Sequence, residues 1–84
     1  MLRAGDHVFH RPSREKWLLA CDEQDGEIIC CGWPETFARA SDCDLLKAAT
    51  DEERLKTLRD VARITDQTRG SRARHQLDAV NGRA

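Results

Sequence analysis

Short apolar runs fill the first 49 positions of the chain, and turn-forming residues separate them. The clearest turn is Asp25-Gly26, because an Asp-Gly pair tolerates the positive φ angles of a type I′ hairpin turn. Apolar segments flank it at 17–23 and 28–33. We therefore predict a hairpin in which Gln24 faces Glu27 and, counting outward, Cys21 faces Cys30.

Three further strands are predicted around this hairpin. They cover residues 7–11, 37–40 and 43–47, each bounded by turn-forming residues. Side chains alternate along a strand, and both faces of the predicted hairpin are largely apolar. A small sheet with two apolar faces must curl on itself or be covered by another element, so residues 1–49 are expected to form a strongly bent five-stranded barrel. The predicted fold class is mainly β, with a C-terminal α-helical extension.

The extension begins with a helix signal. Thr50 followed by Glu53 three residues later is a capping-box pattern, and the intervening acidic residues suit the positive end of a helix dipole. An apolar arc for docking follows at three-to-four spacing: Leu55, Leu58, Val61 and Ala62. The helix is predicted over residues 50–69, docked on the barrel and stopped by Gly70. Residues 70–84 are expected to form either a short helix from Ser71 to Val80 or a flexible, Arg-rich tail.

Composition and charge narrow the class of protein. Leu, Ile, Val and Phe supply 16 of 84 residues, which is few, but the formal net charge of −1 leaves little self-repulsion to oppose a modest core. Residues 1–49 carry a formal charge of −3 and residues 50–84 a charge of +2. No run approaches the roughly 18 apolar residues of a membrane helix, and the first residues lack the apolar stretch of a signal peptide. We therefore expect a soluble, cytoplasmic, single-domain protein without membrane contact.

The chain is similar to known proteins in three stretches, which occur in this order: GDHVFH, WLLACDEQDGEIICCGWPE and ASDCDLLKAA. Over about residues 4–49 it resembles the uncharacterised small SH3-like barrel proteins of proteobacteria and their phages or mobile elements. The resemblance implies a binding module, with no chemistry and no functional residue to transfer. It also suggests an accessory protein of a phage or mobile element, or an inhibitor of a host defence system.

Four cysteines and three histidines raise the question of a metal site. Zinc ligands usually come in pairs two to four residues apart on a turn, whereas Cys30 and Cys31 are adjacent in a predicted strand and point to opposite faces. We therefore expect no metal and no cofactor, and buried cysteines that behave as small apolar residues. The predicted register opposes Cys21 and Cys30, so these two form a candidate redox pair. No nucleophile and base are placed together, so we expect no catalytic residues and no enzyme activity.

Nucleic-acid binding is the main alternative. Small barrels often bind nucleic acid, and a basic group near the C-terminus could meet phosphates: Arg69, Arg72, Arg74 and His75. The negative charge of residues 1–49 would repel a nucleic acid, so any such binding is expected to be weak and dependent on salt concentration.

The favoured function is contact with a protein partner of unknown identity. Residues 1–49 contain more apolar side chains than a 45-residue barrel can bury. This excess indicates a contact surface at an edge strand or around Trp33, Pro34 and Phe37. The open edges of a small barrel commonly pair, so a homodimer is left open as well.

Overall fold

The structure is a computed structural model that describes residues 1–31, 37–64 and 68–80. Its elements in chain order are β1 His7–His10, β2 Glu15–Leu18, β3 Glu27–Ile29, β4 Phe37–Arg39, a 3₁₀ turn Ala40–Asp42, β5 Cys43–Lys47, α1 Asp51–Ala62 and α2 Arg69–Val80. Five strands are present near the predicted positions, but β2 covers residues 15–18 rather than 17–23. Neither of the two described helices is long and apolar enough to cross a membrane.

The predicted fold class is wrong, because the strands form two sheets and the described residues contain no closed barrel. One sheet has the order β2-β1-β5 and the other pairs β3 with β4, all antiparallel. Helical and strand residues are roughly equal in number, so the fold is mixed α/β rather than mainly β. The two sheets meet at a single bridge between Leu19 and Cys30.

The predicted hairpin keeps its predicted register only at the tip, and pairing resumes two residues out of that register where Leu19 pairs with Cys30. Asp25 and Gly26 adopt φ angles of 54° and 77°, as a type I′ turn requires, and Gln24 pairs with Glu27. Beyond the turn the ladder breaks at Asp22. Its N–H donates to the Gln76 side chain at 2.8 Å, and its carbonyl oxygen accepts from Gln76 Nε2 at 3.1 Å. Because an amide from α2 occupies both backbone groups, the strands cannot continue in the predicted register.

Two hydrophobic clusters make up the core. The first lies between the sheets and contains Val8, Trp17, Leu19 and Ile28. The second lies beneath the helices and contains Ala4, Ala20, Cys21, Leu58, Val61 and Ala73. The predicted apolar arc of the first helix therefore packs on the rest of the protein, chiefly through Leu58 and Val61, which are buried.

The start of α1 follows the sequence signal. The Thr50 side chain accepts a hydrogen bond from Glu53 N–H at 3.1 Å, and the Glu53 carboxylate accepts from Thr50 N–H at 2.9 Å, which completes the capping box. Hydrogen bonds to the Glu53 carboxylate from Thr50, chiefly from its backbone N–H, hold the pKa of Glu53 below its ordinary value.

The predicted end of α1 at Gly70 is wrong. The helix ends at Ala62, and Gly70 lies in the first turn of α2, which begins at Arg69 rather than Ser71. A Cβ atom on Gly70 would lie 2.2 Å from the Ile64 carbonyl oxygen. Gly70 is therefore explained by the close approach of two backbones rather than by a helix stop. Residues 69–80 form a regular helix that packs on α1.

Candidate protein-binding surface

β5 is an edge strand among the described residues, since β1 lies on one side of it and no other strand of its sheet lies on the other. Its last four residues, 44–47, are all exposed. Leu45 and Leu46 are 52% and 51% exposed. Among the large hydrophobic side chains of the described residues, only Met1 is more exposed. Two neighbouring leucines thus stand in solvent beside backbone groups that another strand can pair with.

A β-bulge determines which side chains of β5 share a face. Phe9 pairs with Asp44, Val8 with Leu45 and His7 with Lys47, so one extra residue enters β5 between the last two pairs. Opposed residues of an antiparallel pair project from the same face, and Phe9 and His7 lie two residues apart. Asp44 and Lys47 therefore share a face although they are three residues apart.

Arg11 fixes the acidic end of β5. Its guanidinium forms an ion pair with Asp44 and donates a hydrogen bond to the Ser41 carbonyl oxygen. Its own N–H donates to the Asp42 carbonyl oxygen at 3.0 Å, which extends the pairing of β1 and β5 by one step. These contacts tie the 3₁₀ turn and the start of β5 to β1, so the edge is held in an extended conformation.

The predicted patch of Trp33, Pro34 and Phe37 is only partly covered by the described residues. Phe37 is the first residue of β4, pairs with Ile29 and is 42% exposed. Trp33 and Pro34 lie outside the described residues. Leu45 and Leu46 were not among the residues predicted to form a contact surface. The signal for them was a pair of adjacent leucines in a five-residue strand, of which at most one can point into a core.

The arginines predicted to meet nucleic acid are instead engaged with the protein. Arg69 is buried and donates from Nη1 to the Cys31 carbonyl oxygen at 2.9 Å. Arg72 forms an ion pair with Glu27 at 3.1 Å. Arg74 donates from Nη1 to the carbonyl oxygens of Ala62 and Ile64 at the end of α1.

His75, the last member of the predicted nucleic-acid set, is exposed. It lines an open polar pocket of about 400 Å³ together with Gln24, Thr68, Ser71 and Arg72. The four residues of the set thus hold α2 in place or line this pocket, rather than forming a flexible basic tail.

The predicted redox pair loses its geometric basis. Cys30 pairs with Leu19 rather than with Cys21, and all four cysteines are thiols. Cys21 is buried, and its thiol donates to the Arg69 carbonyl oxygen at 3.4 Å. Burial, together with the neighbouring Cys30, raises the pKa of Cys31 to about 11. Within the described ranges, no three His, Cys, Asp or Glu side chains are grouped so that they could hold a metal ion.

Comparisons of the chain with protein-family models, with curated proteins and with solved structures found no match. The resemblance to small proteins of proteobacteria and phages therefore stays a prediction.

Proposed function

We propose that this protein is a small non-catalytic binding module that acts through protein-protein contact at the edge formed by β5. The observation that supports the proposal is the exposure of two adjacent leucines, Leu45 and Leu46, on an edge strand. An uncovered apolar edge favours pairing with another chain, and an extended partner segment that adds to it would gain backbone hydrogen bonds and apolar burial together.

The apolar gain is large enough to matter for binding. Burying a leucine side chain fully is worth about 1.5–3 kcal/mol, so covering the exposed half of two leucines contributes about the same amount. Hydrogen bonds to the outer edge of β5 add affinity, because the peptide groups there have no neighbouring strand in the described part of the chain.

Affinity capture with matched variants tests the proposal. The protein is immobilised as wild type, as the double variant Leu45→Ser/Leu46→Ser, and as Val80→Ser, which removes a similarly exposed apolar side chain from α2. We expect the wild type and Val80→Ser to retain the same partner protein in equal amounts. The double variant should fail to retain it. Equal retention by all three proteins would contradict the proposal.

A further variant separates this surface from the one predicted on the sequence. Phe37→Ser removes the exposed aromatic side chain of β4 and leaves β5 intact. We expect it to behave like the wild type. If Phe37→Ser loses the retained protein and the leucine variant keeps it, the contact surface lies on β4.

We further propose a cytoplasmic location. The support for it is that all four cysteines are thiols and none is joined in a disulfide. A reducing compartment is where such thiols persist.

A further inference from the structure

We propose that the partner of the β5 edge is a second copy of this chain, paired antiparallel with the first about a two-fold axis between Leu45 and Leu46. This inference rests on the proposed function and names its partner. It joins two three-stranded sheets into one six-stranded sheet with the order β2-β1-β5 continued by β5-β1-β2 of the second copy.

The charges of β5 are self-complementary in this arrangement. The bulge places Asp44 and Lys47 on the same face at opposite ends of the exposed segment. An antiparallel second copy reverses the segment, so Asp44 of each copy lies across from Lys47 of the other. Without the bulge, residues three apart would project from opposite faces and the two ion pairs would not form on one face.

The apolar residues fit the same symmetry. With the axis between the two leucines, Leu45 of each copy lies across from Leu46 of the other, which is the extra residue of the bulge, so the exposed leucine positions of both copies lie at the centre of the interface. Ion pairs flank them on both sides. An apolar centre with a polar rim is the arrangement that stable protein interfaces share.

The overall charge does not oppose self-association. The formal net charge is −1 per chain, so two copies repel each other only weakly. A different protein would need an exposed strand that places a basic residue across from Asp44 and an acidic residue across from Lys47, and a second copy meets this condition by symmetry.

Charge reversal tests the pairing. We expect the wild type to sediment as a dimer, and Asp44→Lys and Lys47→Asp each to weaken dimerisation by about tenfold or more, because each places like charges opposite one another at two symmetric positions. An equimolar mixture of the two variants restores complementary charges in a heterodimer. We therefore expect the mixture to associate as tightly as the wild type.

The mixture also controls for folding. Asp44→Lys removes the ion pair with Arg11, so loss of the dimer in that variant alone would leave misfolding as an explanation. Recovery on mixing excludes it, since a misfolded variant gains nothing from a second one. The double variant Asp44→Lys/Lys47→Asp reverses both charges in one chain and is expected to dimerise by itself.

Sedimentation equilibrium distinguishes failure of this inference from failure of the proposed function. A wild-type chain that stays monomeric up to its highest soluble concentration overturns the second copy as partner. If a different protein is then captured in a way that depends on Leu45 and Leu46, the proposed function stands. A dimer that both charge variants and the double leucine variant leave unchanged also overturns the inference, because its interface lies elsewhere.

Discussion

Asp22 joins four parts of the molecule, and replacing its charge provides the sharpest test of how the fold is held together. Its carboxylate accepts hydrogen bonds from Arg54 of α1, with Nε to Oδ1 at 3.0 Å, and from Ala4 N–H at 2.9 Å. Its backbone groups bind Gln76 of α2. The side chains of Asp22 and Arg54 are only 15% and 20% exposed.

Asp22→Asn keeps an oxygen for Ala4 but turns an NH2 group toward the guanidinium of Arg54, so two donors face each other. Exposed ion pairs are worth up to about 1 kcal/mol, and breaking a fully buried pair costs about 3–5 kcal/mol. Because this pair is mostly but not fully buried, we expect the free energy of unfolding to fall by about 2–3 kcal/mol. Urea unfolding followed by circular dichroism measures the change.

Asp60→Asn is the matched control. It makes the same chemical change in the ion pair between Asp60 and Lys56, which both lie on α1. The side chains of Asp60 and Lys56 are 55% and 77% exposed. We expect its effect to be a small fraction of that of Asp22→Asn. Equal effects of the two substitutions would refute the claim that burial makes the contribution of Asp22 large.

The pH dependence has a defined sign. Burial raises the pKa of Asp22, but hydrogen bonds from Arg54 and Ala4 and the charge of Arg54 outweigh it, so the pKa lies below its ordinary value of 3.8. The contribution of this carboxylate is therefore complete above the unfolded-state pKa and is lost as the pH falls through the lower folded-state pKa. The difference in stability between wild type and Asp22→Asn should narrow below about pH 4. A difference that stays constant down to pH 2 would contradict the ionic origin of the effect.

Other substitutions test single features of the fold and its thiols. Gly70→Ala should destabilise the protein by about 2 kcal/mol or more, because the new Cβ meets the Ile64 carbonyl oxygen; unchanged thermal unfolding would show that the backbones move apart at no cost. Thr50→Ala should lower stability by about 1 kcal/mol and Thr50→Ser by much less, as measured in urea. The pKa of about 11 makes the thiolate fraction of Cys31 near neutral pH about a hundredfold smaller than that of an ordinary thiol, so a thiol reagent should modify Cys31 slowly until the protein unfolds.

The features that depend on local chemistry can be predicted from the sequence. The turn at Asp25-Gly26 follows from the two residues that tolerate positive φ, and the start of α1 follows from the capping box at Thr50. The positions of β1, β3, β4 and β5 follow from apolar runs and the turns between them, whereas β2 begins and ends earlier than predicted. In each case the interacting groups lie within a few residues of each other along the chain.

How these elements combine depends on contacts between distant parts of the chain. Gln76 lies 54 residues from Asp22, yet its side chain binds both backbone groups of Asp22, so pairing in the predicted register stops there. Gly70 looked like a helix stop because its contact with Ile64 appears only when α2 folds back on α1. The exposure of Leu45 and Leu46 likewise depends on which strands cover β5. The physical reason is that long-range contacts compete with local patterns, and no local pattern contains the competing partner.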